Sequence, residues 1–212
     1  MGNGKTASMV FLTMLDFLNG RNIRANFTLS GIEYEYIPSL KAMLKRMQEG
    51  DTELGDINST YAIDELSTWF SCYERPSKNN EGLLMFDLIK QTRKMSIKLY
   101  YTSQTYSRIP KFLRDLTHKI YIVSKCHYTD GQYKKCESDN CRDLHYIAIR
   151  ECIQQGNDLI QPKPTKFFKL PLEIFRMYDT TEIIYRNLEN PEDELKRQRE
   201  KRKTAKDYVF RQ

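Results

Sequence analysis

The fold turns on the opening of the chain, Met1-Gly2-Asn3-Gly4-Lys5-Thr6, followed by the apolar run Ala7-Ser8-Met9-Val10-Phe11-Leu12-Thr13-Met14-Leu15-Asp16-Phe17-Leu18. A Gly-Lys-Thr triplet entering an apolar helix is the second half of a G-x-x-x-x-G-K-[ST] loop. Glycines let backbone N–H groups come close to phosphate oxygens, and a helix N-terminus adds favourable positive potential. On this reading Gly2, Asn3 and Gly4 cradle the phosphates of ATP, Lys5 reaches the β- and γ-phosphates, and Thr6 holds Mg²⁺. Counting back from Gly4, the first glycine of the loop and the strand before it fall ahead of Met1, so the first strand is expected to be truncated. The competing reading is a glycine-rich tail with a chance triplet.

A phosphate loop of this kind needs an acidic partner, and Thr60-Tyr61-Ala62-Ile63-Asp64-Glu65 supplies one. An apolar strand ending in Asp-Glu puts two carboxylates at the carboxyl edge of a sheet, where open α/β folds bind ligands. Asp64 is expected to act on Mg²⁺ and Glu65 to orient the attacking water. A second strand, Lys98-Leu99-Tyr100-Tyr101, runs into Thr102-Ser103-Gln104, and Gln104 is placed to sense the γ-phosphate or that water. An arginine offered to a neighbouring subunit's nucleotide would neutralise transition-state charge. Arg93 is the first candidate, with Arg114 and Arg108 behind it.

Working outward, residues 9–18 read as a buried helix, 23–29 as a strand and 40–48 as a helix with Leu40, Met43, Leu44 and Met47 on one face. Residues 50–58 are a polar loop, 81–90 a helix and 96–101 a strand. Residues 106–119 form a loop and short helix, and strand-like runs follow at 120–124, 145–149 and 167–170. Strands alternating with helices predict an α/β domain, a mainly parallel sheet flanked by helices, over residues 1–188. A β-hairpin insertion is expected over 125–145, turning at Thr129-Asp130-Gly131, and a charged basic tail over 189–212.

The 212 residues carry a net charge of +6, which fits a polyanionic partner and also fits many ordinary proteins. Five cysteines at uneven spacing do not read as a secreted disulfide framework. The polar stretch 2–8 does not read as a signal peptide, and no run approaches the roughly 18 apolar residues of a membrane span, so no membrane partner is expected.

Gly4-Lys5-Thr6, Ile63-Asp64-Glu65 and the strand ending Thr102-Ser103-Gln104, in this order, resemble the FtsK–HerA superfamily of ring-forming, DNA-pumping ATPases. Within it the chain looks most like viral genome-packaging ATPases and the related zonula-occludens-toxin-like assembly proteins of filamentous phages. Phe112-Leu113-Arg114-Asp115-Leu116 and Phe175-Arg176-Met177-Tyr178-Asp179-Thr180-Thr181-Glu182 have a similar look. The resemblance covers residues 2–185. It implies a RecA-like core, a homo-oligomeric ring, commonly a hexamer, and double-stranded DNA as the translocated substrate. It further implies a setting in the host-cell cytoplasm or on the virion, with a capsid or portal-vertex protein as partner.

Cys126, His127, Cys136, Cys141 and His145 fall within twenty residues, and Cys126, Cys136, Cys141 and His145 could form a tetrahedral Zn²⁺ site. Their spacing is not a paired C-x₂-C pattern, and a hairpin that happens to carry cysteines is the plainer reading. Residues 195–206 carry seven lysines and arginines against one acid beyond Glu194, enough to hold phosphates without sequence preference. The functional expectation is ATP-driven DNA translocation, most concretely genome packaging. The alternatives are an assembly or export ATPase of filamentous-phage type and a non-hydrolysing nucleotide-binding regulatory subunit.

Overall fold

A computed structural model of the chain describes residues 4–53, 58–69, 92, 96–136, 146–155 and 158–179. Helix α1 (Lys5–Leu18) leads into strand β1 (Asn22–Ala25), strand β2 (Glu35–Tyr36), helix α2 (Leu40–Glu53) and strand β3 (Ser59–Ile63). Strand β4 (Lys98–Tyr101) and helix α3 (Lys111–Leu116) follow. Strands β5 (Ile120–Thr129), β6 (Gln132–Lys135), β7 (Tyr146–Gln155), β8 (Asp158–Ile160) and β9 (Lys166–Phe168) come next, then helix α4 (Leu172–Arg176).

The first four strands form one parallel sheet in the order β2-β1-β3-β4. Its central strand is apolar on both faces because it is covered on both. All five residues of β3 are buried. Tyr61 and Ile63 face a core built with Leu40, Met43, Leu44 and Met47 of α2, the face that the helical spacing predicts. Ala62 joins Ile23, Ala25, Ala7 and Val10 in a second core on the α1 side.

The predicted strand 23–29 is shorter than expected. It ends at Ala25; the Asn26 amide still donates to the Ala62 carbonyl at 3.3 Å, and its side chain bonds the backbone of Asp64. The helix predicted from Met9 already begins at Lys5.

The second sheet is antiparallel, in the order β6-β5-β7-β8, with β9 also paired to β7. Its extent exceeds the short strands read from the sequence: β5 and β7 run ten residues each. Asp130 and Gly131, with φ of 55° and 77°, make the β5–β6 turn that the Thr-Asp-Gly signal predicts. Val123, Ile147, Ile149 and Phe168 point from this sheet onto α1, so the helix is held between the two sheets.

Two polar clusters are built into the parallel sheet. Arg24, 2% exposed in mid-strand, donates to Glu35 at 2.9 Å and to the Ser59 hydroxyl, and its guanidinium lies 5.3 Å from the Tyr61 ring centroid. Arg46 of α2 reaches the same Glu35 oxygen at 3.0 Å. At the amino edge of the sheet, Asp16, 4% exposed, accepts from Thr60 at 3.0 Å and from Lys98 at 2.5 Å. Arg21 donates to Thr60, to the Ser59 carbonyl and to the Ser96 carbonyl at 2.8, 2.6 and 2.5 Å.

Candidate nucleotide and magnesium site

The carboxyl edge of the parallel sheet gathers the chemistry. Gly4 caps α1 with φ of 85°, a left-handed conformation that an L side chain adopts only at a cost. A Cβ built there would lie 2.7 Å from Cδ1 of Ile147, so any side chain would have to push the end of that isoleucine aside. Ser8 closes the first turn, its amide and its hydroxyl both donating to the Gly4 carbonyl at 2.9 Å.

Thr6, on the first turn of α1, meets Asp64 at the end of β3. Its hydroxyl lies 3.1 Å from each carboxylate oxygen. Four elements fix the aspartate. Asn26, just past β1, clamps its backbone from both sides: Nδ2 donates to the Asp64 carbonyl at 2.9 Å, and the Asp64 amide donates to Oδ1 at 2.7 Å. Thr102, just past β4, donates its hydroxyl to Oδ1 of Asp64 and accepts the Glu65 amide at 3.0 Å. The Thr102 backbone completes the splice, its amide donating to Ile63 and its carbonyl accepting from Leu66, both at 3.0 Å.

Burial raises the Asp64 carboxyl above its ordinary 3.8. The hydroxyls of Thr102 and Thr6, the Glu65 amide and the Lys5 charge pull the other way. Lys5 immediately precedes the Thr6 that bonds Asp64, which puts both at the same end of the sheet, as a nucleotide reading requires. Glu65 stands next to it, half-buried, with φ of 50°. A non-glycine residue held left-handed is uncommon, and such strain collects at functional sites.

The hydroxyl and carboxylate of Thr6 and Asp64 are the hard oxygen donors that Mg²⁺ takes. A buried carboxylate with a raised pKa is a group that a cation would stabilise. The residues present thus fit Mg²⁺, which Thr6 and Asp64 would hold, with Gly4 and Lys5 on the side where a phosphate would lie.

Not every expected residue converges. Gln104 is exposed, two residues beyond the position whose side chain touches Asp64. Thr102, from the same strand end, is the residue that bonds Asp64. Asn26 carried no motif signal at all. Tyr178 is a further neighbour: its backbone forms an isolated bridge with Leu29, and its hydroxyl is pushed up to about 12 by burial, with the Asp64 charge adding to it. Arg108 is exposed, and the Arg114 guanidinium lies 5.3 Å from the Tyr106 ring centroid. Gly2, Asn3, Arg93, Cys141, His145 and the basic tail lie outside the described residues.

Of the zinc candidates, Cys126 pairs with Lys135 across β5 and β6, and the Cys136 amide donates to the Lys125 carbonyl one step further along. Successive strand residues point to opposite faces, so the two thiols sit on opposite sides of the hairpin. No group of three or more His, Cys, Asp or Glu that could hold a metal occurs among the described residues. No helix among them is long and apolar enough to cross a membrane.

The fold is similar to that of the N-terminal domain of zonular occludens toxin from Neisseria meningitidis. The TM-score is 0.56 at 18% identity, over 84% of this chain and 94% of that one. At such identity the likeness is one of fold: an α/β domain with a parallel sheet and flanking helices. No protein-family model matches the chain, and no curated protein matches it.

Proposed function

We propose that this chain is an ATP-hydrolysing motor subunit that moves double-stranded DNA. The observation that carries the reading is the meeting of Thr6 and Asp64 at the N-terminus of α1, with Lys5 close enough to act on the carboxylate and Glu65 next in sequence. Lys5 and the first-turn amides of α1 bind phosphate oxygens, and Thr6 and Asp64 hold Mg²⁺. When bound, Mg²⁺ neutralises charge on the phosphates. Glu65 orients water and accepts its proton. Thr102 keeps Asp64 and Glu65 in a fixed relation, because one hydroxyl bonds both. Arg93 and Arg114 are the candidates for completing a neighbour's site in a homo-oligomeric ring.

The motif order supports genome packaging into a preformed shell, with a capsid or portal-vertex protein as partner. The likeness to the zonular occludens toxin domain favours a second reading, an assembly or export ATPase on the same fold. Phosphate release measured with and without duplex DNA tests the motor. Release should rise with DNA and fall by at least about a hundred-fold in Glu65→Gln, the scale of a lost general base. Hydrolysis indifferent to DNA would remove translocation and leave the second reading. No hydrolysis with intact nucleotide binding would leave a regulatory subunit.

A further inference from the structure

The second sheet has a face that the nucleotide site does not use. Cross-strand register puts Tyr128, Cys126 and Ser124 of β5 on one side with Tyr133 and Lys135 of β6, Tyr146, Ala148 and Arg150 of β7, and Phe167 of β9. The opposite side carries Val123, Ile147 and Ile149 and packs on α1. The outward side should therefore be polar, yet it carries four aromatic rings in one cluster. Tyr133 stacks on Phe167 at 4.0 Å and 4° between planes, and Tyr128 and Tyr146 lie 4.9 and 5.4 Å from Tyr133. On the same side lie the small residues Cys126 and Ala148, both buried.

These rings are not a closed core. Tyr128, Tyr133 and Phe167 keep 52%, 40% and 39% of their surface open. The segments of this sheet, residues 119–136, 146–155 and 158–170, contain eight lysines and arginines against three acids, and the register turns Lys125, Lys134 and Lys166 to the opposite side. Lys135 and Arg150 share the aromatic face and are exposed.

We propose that this outward face binds single-stranded nucleic acid, with Tyr128, Tyr133, Tyr146 and Phe167 as a stacking platform and Lys135 and Arg150 on the phosphates. Aromatic rings accept any base, since every base has a π-face, and lysines and arginines follow the backbone. Duplex bases are already stacked on one another and cannot use the rings, so the face selects unpaired strands. The surface lies on the far side of its sheet from α1, so this goes beyond the motor reading and does not depend on it.

The test is fluorescence anisotropy of a labelled oligothymidylate of about sixteen nucleotides, long enough for a platform of this kind, without ATP, against the matching duplex. The single strand should bind more tightly than the duplex. Tyr128→Ala should weaken single-strand binding by about ten-fold, the value of one lost base stack. Tyr128→Phe, which keeps the ring, should bind as the unaltered protein does. Lys135→Gln should flatten the dependence of log affinity on log salt by about 0.7, one phosphate contact on a single strand. Unaltered thermal melting and ATP hydrolysis in Tyr128→Ala would show that the loss is local. No single-strand binding at low salt, or binding equal on duplex and indifferent to Tyr128→Ala, would overturn the proposal, whatever the fate of the motor reading.

Discussion

Asp64 shows how one residue's surroundings set both stability and chemistry. Burial raises its folded-state pKa above 3.8, so the folded protein favours the protonated form. Its contribution to stability is fully present below the unfolded pKa and is lost as pH rises through the raised folded value. In metal-free protein, Asp64→Asn should therefore raise the melting temperature at neutral pH. The gain should shrink as pH is lowered through the folded value, where aspartate and asparagine carry the same charge. Thermal melts across that range in chelator, with phosphate release lost at every pH, are the check. Gly4 poses a steric question instead. Gly4→Ala needs a left-handed alanine and presses 2.7 Å against Ile147. It should cost about 1–2 kcal/mol in urea denaturation and weaken binding of a fluorescent ATP analogue.

Between elements, the decisive contacts are polar and sit at the two ends of the parallel strands. At the carboxyl end, Asn26 after β1, Asp64 after β3 and Thr102 after β4 are bonded into one unit. Thr102→Val removes that hydroxyl while keeping the shape, and leaves the Glu65 amide without its partner. It should slow hydrolysis by loosening Asp64 and Glu65 while substrate binding through Lys5 persists, a fall in kcat with KM little changed. At the amino end, Asp16 ties α1 to β3 and β4 through Thr60 and Lys98. Lys98 is half-exposed and can turn to water, so Asp16→Ala should cost about 1–3 kcal/mol, the scale of a hydrogen-bonded charge, by equilibrium denaturation.

Across the molecule, α1 is the shared wall of two sheets, and Gly4 at its N-terminus lies where they meet. Ile147, 2% exposed, is a contact of the antiparallel sheet with Gly4 itself. Ile147→Ala should cost about 2–5 kcal/mol, as large-to-small changes in cores do, and should lower nucleotide affinity although the residue touches no nucleotide. Urea titration and nucleotide binding measured on the same variant would show whether the two losses travel together. The sequence by itself determined the α/β class, the helix at Gly4-Lys5-Thr6, the buried face of α2 and the acidic strand end at Asp64-Glu65. Each of these is local: a glycine before a helix, a 3.6-residue period, or apolar residues running into carboxylates. Only the tertiary structure decided that Thr102 and Asn26 hold Asp64, because partners 38 residues away leave no periodicity to read. It alone decided that β5 and β7 pair over seven residues into a second sheet on α1. Strand pairing is a choice of register between distant segments, and no single segment encodes its partner.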